Sequence, residues 1–179
     1  MTDGQYPPGV WETADREGIH IREVYARFGL AMYQAQVLEH GIVNAIIVLN
    51  LLPRTAEFGA RIEWEQALDD CFEDQFSKTF GNLIQTLDKL DALPDHILGV
   101  MRSAKRTRDE LAHRFFRDNA EDFMSEPGRL KMIQYCEDAA NQFSDVDADL
   151  EKFIAPLRTK YGISEEHILK EVARFNQRS

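Results

Sequence analysis

The chain has 179 residues, a formal net charge of −10 and a pI near 5.0, with 44% hydrophobic and 29% charged residues. The length suits one domain, and the composition is too apolar for a disordered chain. A protein this acidic does not coat nucleic acid or anionic membranes with its whole surface. Any contact with nucleic acid must therefore come from a local basic patch.

The cysteines and the N-terminal residues indicate the cellular compartment in which the protein is expected. Cys71 and Cys136 are far apart and belong to no CxxC or Cys/His cluster, which argues against a zinc site and suits a reducing compartment. The N-terminus lacks the basic and apolar regions of a signal peptide. The longest apolar stretch, Gly41 to Leu52, is too short to span a bilayer. We expect a cytoplasmic protein without a membrane partner, a metal or a cofactor.

The first predicted element is a long helix. Residues 1–18 show no periodicity and are interpreted as a mobile or loosely docked lead-in, and residues 19–179 as a single domain. Apolar residues in steps of three and four predict a helix from about Ile19 to Leu51. Beyond Gly41 this helix is apolar on nearly all sides, which indicates deep burial or an interface. Pro53 is expected to end it.

Further helices follow. They are joined by a loop at 53–60 and by a second loop that Asp118-Asn119 and Pro127-Gly128 bracket. Ser125 is a candidate N-cap for the helix after the second loop. No segment alternates with period two, so no sheet is expected. The pattern predicts an all-α, antiparallel (up-and-down) bundle of five to six helices. The later helices are predicted at about Arg61–Thr79, Asn82–Leu90, Asp95–Phe116 and Glu126–Leu157, with a last short helix from Ser164 to Gln177.

The fourth predicted helix has an apolar seam that contains an arginine. The spacing alternates between four and three, the rhythm of core-facing positions. Arg108 occupies one of these positions, where an arginine must pair, reach solvent along its stem or serve a function. A structural ion pair with an acid on a neighbouring helix is one such explanation. The seam consists of Ile97, Met101, Ala104, Arg108, Leu111 and Phe115.

Two more polar residues lie beside this seam. Asp109 and His113 are four positions apart and hence neighbours on one helical face, where the carboxylate can fix the imidazole tautomer. The segment from Arg102 to Arg117 carries six cations and two anions, a net charge of +4 on an acidic protein. Such a stretch is either a solvated face or a local phosphate site. The candidate phosphate-binding cations beside Arg108 are Arg102, Lys105, Arg106, Arg114 and Arg117.

The helix resembles the signature helix of the HEPN superfamily. These small helical bundles carry an Arg-x4–6-His motif, usually with a polar residue after the arginine. Here Arg108 and His113 match the motif and Asp109 fills the polar position. The predicted topology over roughly residues 20–157 is also similar to that of the superfamily, but only the motif helix is a specific match.

The resemblance implies metal-independent cleavage of RNA. The ribose 2′-hydroxyl would attack the adjacent phosphate in a cleft at a homodimer interface. His113 would act as general acid or base, Arg108 would hold the phosphate, and Asp109 would orient one of them. Many members are toxins or phage-defence effectors, so a cognate antitoxin protein is a possible partner besides RNA. The apolar half of the first helix is a second reason to expect a homodimer.

Two alternatives remain at this point. One is a non-catalytic interaction or RNA-binding bundle that has inherited an idle motif. The other is a di-metal carboxylate bundle, which needs Glu-x-x-His on two helices and single glutamates on two others. The sequence offers Glu110 with His113 and Glu17 with His20. The single glutamates could come from Glu39, Glu63, Glu73 or Glu137.

Overall fold

A computed structural model describes residues 16–164, 166 and 170. The described residues form an all-α helical bundle without a strand, as predicted. The lead-in up to residue 15 and most of the predicted last helix, Ser164 to Gln177, lie outside the described residues. The α-helices are α1 (Arg16–Ile46), α2 (Arg61–Phe76), α3 (Phe80–Lys89), α4 (Asp95–His113), α5 (Phe115–Asp118), α6 (Ala120–Phe123) and α7 (Glu126–Lys160).

The first helical run is longer than predicted at both ends. Helix α1 already begins at Arg16, inside the predicted lead-in, and a π-helical turn (Ile47–Leu51) and a 3-10 helix (Leu52–Glu57) continue it past Pro53. Pro53 does not end the run, because it lies in the first turn of the 3-10 helix, where its missing N–H is not needed. The predicted loop is thereby reduced to the residues just before Arg61.

The core lies where α1 packs along α7, the most extensive contact between elements, with α3 and α4 against this pair. Four of the apolar residues whose spacing predicted α1 are fully buried, namely Val24, Ala31, Leu38 and Ile42. The apolar half beyond Gly41 is buried within the single chain. Intrachain burial thus accounts for the feature that had suggested an interface, and the homodimer stays a prediction on other grounds.

The run from Glu17 to Glu57 is long and apolar enough to cross a membrane by length and composition. The prediction that the apolar stretch is too short to span a bilayer considered only Gly41 to Leu52, which is part of this continuous helical run. In the structure, 56% of its most apolar 18-residue window is buried inside the protein. Core helices of soluble proteins meet the same criterion, so this feature alone does not assign the chain to a membrane.

Helix α4 ends three residues earlier than predicted. Arg114 leaves the helical conformation at φ −132° and ψ −20°, so the next two residues turn back towards the bundle. Phe115 then stacks on Phe28 of α1, with ring centroids 5.6 Å apart, and Phe116 meets the same ring at 5.0 Å. Burial of these aromatic rings offsets the lost helical hydrogen bonds. As a result, His113 is the last residue of α4.

The connection from α4 to α7 contains the short helices α5 and α6, where the sequence predicted a loop. Ser125 is the N-cap of α7, as predicted, and its hydroxyl accepts a hydrogen bond from the Gly128 amide at 3.2 Å. A Cβ at Gly128 would lie 2.1 Å from the Asp122 carbonyl oxygen. Glycine is therefore required for α6 to pack directly on the first turn of α7, an approach that holds the segment after His113 in place.

Candidate active site on α4

The seam of α4 faces the core as predicted. Ile97, Met101, Ala104 and Leu111 are all buried. The Arg108 side chain keeps 27% of its surface exposed, so its stem runs beside the core while its guanidinium reaches the edge of the bundle.

Arg108 has two carboxylate partners in the structure. Its Nη2 lies 3.2 Å from Oε1 of Glu39 on α1, and its Nη1 lies 3.5 Å from Oδ1 of Asp109. The Glu39 side chain is 25% exposed, so water only partly screens this ion pair. The contact with Glu39 is an ion pair between two helices, as expected if Arg108 has a structural role. The contact with Asp109 links Arg108 to the rest of the motif.

Asp109 connects the charged groups at this edge of α4. Besides Arg108, it forms an ion pair with Lys105 one turn earlier, and it interacts electrostatically with His113 one turn later. Partial burial acts to raise the pKa of Asp109. The hydrogen bond and charge of Lys105, followed by the charges of Arg108 and His113, outweigh this effect and hold the pKa below its ordinary value. Asp109 therefore stays ionised.

His113 is exposed and lines a shallow surface concavity of about 470 Å³. The other lining residues are Arg106, Asp109, Glu110 and Arg114. The structure thus brings His113 and Asp109 together. Arg108 does not line this concavity, because its guanidinium is directed to Glu39 and Asp109.

Two of the five predicted phosphate-binding cations line the concavity. Arg106 and Arg114 line the concavity, whereas Arg102, Lys105 and Arg117 do not. Most of these cations already have carboxylate partners, which lowers the local charge available to a polyanion. Arg106 has no ion-pair partner among the described residues. The existing pairs are Arg102 with Asp88 at 2.8 Å, Lys105 with Asp109, Arg114 with Asp118 at 3.4 Å and Arg117 with Asp118 at 2.9 Å.

Sequence reasoning missed two residues of this site. Glu110 was considered only as a metal ligand, although its spacing of three from His113 places both on one helical face. Tyr135 of α7 was not considered at all. Its ring stacks on Phe115 with centroids 5.8 Å apart, and its hydroxyl interacts with Glu110. No local pattern indicates Tyr135, because only the packing of α7 against α4 and α5 brings it here.

The structure lends no support to a di-metal centre. Among residues 16–164, no group of three or more His, Cys, Asp or Glu side chains is placed to hold a metal ion. Glu39, one of the proposed ligands, is instead paired with Arg108. The thiols are also poorly suited to metal binding: burial, with a smaller contribution from Glu137, raises the pKa of Cys136 to about 12.

The chain matches no protein-family model, no curated protein and no solved structure. The fold and the site therefore define the protein by class only. It is an all-α helical bundle in which one helix ends in a surface-exposed histidine, next to a carboxylate that is held by two cations.

Proposed function

We propose that this protein is a metal-independent endoribonuclease of the HEPN type. The observation that supports this most is the position of Asp109, in contact with Arg108 and one turn from His113 at the rim of an open concavity. The three motif residues are thus linked through one carboxylate, and the imidazole remains accessible. An imidazole can both accept and donate a proton, as an acid–base group in RNA cleavage must.

The geometry suggests a division of roles among the cations. Arg106 and Arg114 share the concavity with His113, and we assign them the contact with the scissile phosphate; the pair that Arg114 forms with Asp118 is exposed and therefore screened by water. The resemblance implied this role for Arg108. Because its guanidinium is engaged by Glu39 and Asp109, we assign it the positioning of Asp109 beside His113. The protein would then bind RNA through its phosphates, without contacts that recognise particular bases.

The biological setting follows from the same resemblance and stays a prediction. We propose a cytoplasmic toxin or phage-defence effector, acting as a homodimer in which two such concavities face one cleft, with a cognate antitoxin as a possible partner. A homodimer would double the cations facing the RNA, which matters because one concavity contributes only Arg106 and Arg114.

A second candidate is a non-catalytic interaction bundle. The interhelical pair between Arg108 and Glu39 favours it, since neither side chain is more than 27% exposed. Each charge of such a pair compensates the other where α4 packs on α1, so the pair accounts for both side chains without a ligand, and removing either partner is expected to destabilise the packing. In this case His113 would be a surface residue without a role in chemistry.

Whether the folded parent cuts RNA at all separates the two candidates, and substitutions of Arg108 and Glu39 then test the role of Arg108. Cleavage of single-stranded RNA is measured in EDTA, and folding is checked by thermal unfolding. We expect Arg108→Ala to slow cleavage about 100-fold, and Glu39→Gln to leave cleavage nearly unchanged because Arg108 keeps Asp109. If Arg108 serves only as a structural partner of Glu39, both variants lower the melting temperature and the folded fraction of each cuts like the parent. That outcome would remove Arg108 from the site.

A further inference from the structure

The concavity contains two carboxylates in different states. Asp109 is bound to Lys105 and to Arg108, and these cations hold it ionised and engaged. Glu110 is exposed and has no cation partner among the described residues. It is therefore the carboxylate in this concavity that is free to accept a proton from a bound molecule.

Tyr135 approaches Glu110 from another helix. Its ring is half-buried on α7 and stacked on Phe115, which is itself buried. Burial, then the hydrogen bond and charge of Glu110, raise the pKa of Tyr135 to about 12, against a small opposing effect of Arg114. The phenol consequently stays protonated near neutral pH and can donate a hydrogen bond to the carboxylate.

We propose that Glu110 is the general base of this site and that Tyr135 is its positioning residue. This inference rests on the proposed ribonuclease function. Glu110 takes the proton of the ribose 2′-hydroxyl as the bond between O2′ and phosphorus forms. The bond between phosphorus and O5′ breaks, and O5′ receives a proton from the imidazolium of His113. The products are a 2′,3′-cyclic phosphate and a 5′-hydroxyl. The reaction consumes no metal and no further reactant.

The charges around Glu110 are compatible with this role. Arg106, Asp109, His113 and Arg114 line the concavity from α4 and its cap, and Tyr135 faces Glu110 from α7. The two arginines attract the phosphate to the carboxylate, which alone would repel it. Glu110 and His113 are three positions apart on the helix, and hence neighbours on one face. This spacing allows one group to act at O2′ and the other at O5′.

The test uses rates of RNA cleavage in EDTA as a function of pH. We expect Glu110→Gln to slow cleavage about 100-fold or more and to abolish the acid limb of the pH–rate profile. Tyr135→Phe keeps the stack on Phe115 but loses the donor. It should slow cleavage about tenfold through kcat with KM unchanged, because Glu110 loses the group that orients it while RNA binding is untouched. Matched controls are Asp95→Asn at the other end of α4 and Tyr33→Phe on the exposed face of α1.

The outcomes distinguish this inference from the proposed function. If Glu110→Gln cuts like the parent while His113→Ala does not, Glu110 is not the base and the ribonuclease function stands. If Glu110→Gln loses the alkaline limb instead, the two roles are reversed and the assignment is wrong. If the folded parent does not cut RNA, both proposals fail together. Glu110 is exposed, so its substitution should leave the melting temperature unchanged.

Discussion

His113→Ala is expected to slow cleavage of single-stranded RNA by about 10²- to 10⁴-fold, the usual contribution of a general acid or base. The variant removes the imidazole from the concavity, while the exposed position of His113 at the end of α4 leaves the core intact. Initial rates in EDTA give the effect, and an unchanged melting temperature shows that the loss is chemical.

His96 provides the matched control for this substitution. It is also an exposed histidine on α4, but it lies in the first turn, at the far end of the helix from the concavity. His96→Ala should therefore cut RNA at the parental rate. Equal rates for the parent and both alanine variants would show that neither histidine takes part, and the site would have to be abandoned.

Phe115→Ala is expected to lower the free energy of unfolding by about 3–5 kcal/mol, as for other buried phenylalanines. Phe115 is only 2% exposed and contacts the rings of Phe28, Phe116 and Tyr135. Removing it opens a cavity where α1, α5 and α7 meet, directly behind the end of α4. Chemical denaturation measures the change. The folded variant should also cut RNA up to about tenfold more slowly, the effect expected for loss of the Tyr135 donor, since Tyr135 loses the ring on which it is stacked.

Phe76→Ala is the control for this loss of stability. Phe76 is 48% exposed, although it stacks on Phe72 and contacts His40. We expect a loss of about 1 kcal/mol, since less apolar surface returns to water. Similar losses for the two variants would mean that the aromatic cluster at the end of α4 does not determine stability in the way the packing indicates.

The fold was predictable because its signal is local and periodic. Apolar residues in steps of three and four marked α1 and the seam of α4, and Ser125 marked the start of α7. The errors lie where distant contacts decide the local conformation. The early end of α4 depends on Phe115 and Phe116 reaching Phe28, and the short helices α5 and α6 depend on the close packing at Gly128.

The candidate site was predictable only along its own helix. The sequence placed Arg108, Asp109 and His113 on neighbouring turns, because helical spacing fixes such relations. It did not reveal that Glu39 lies against Arg108 or that Tyr135 lies against Glu110, since each contact joins residues far apart in the chain. These two contacts change the expected roles. In our proposal, Arg108 is a partner of Asp109 instead of a phosphate ligand, and Glu110 is the general base.

The most direct test of the ribonuclease proposal is the chemistry of the RNA ends left by the folded parent protein in EDTA. Attack by a 2′-hydroxyl, with His113 as acid–base group, predicts fragments that carry a 2′,3′-cyclic phosphate and a 5′-hydroxyl. RNA that stays intact in EDTA, or fragments with 3′-hydroxyl and 5′-phosphate ends that appear only when a divalent metal is added, would contradict the account.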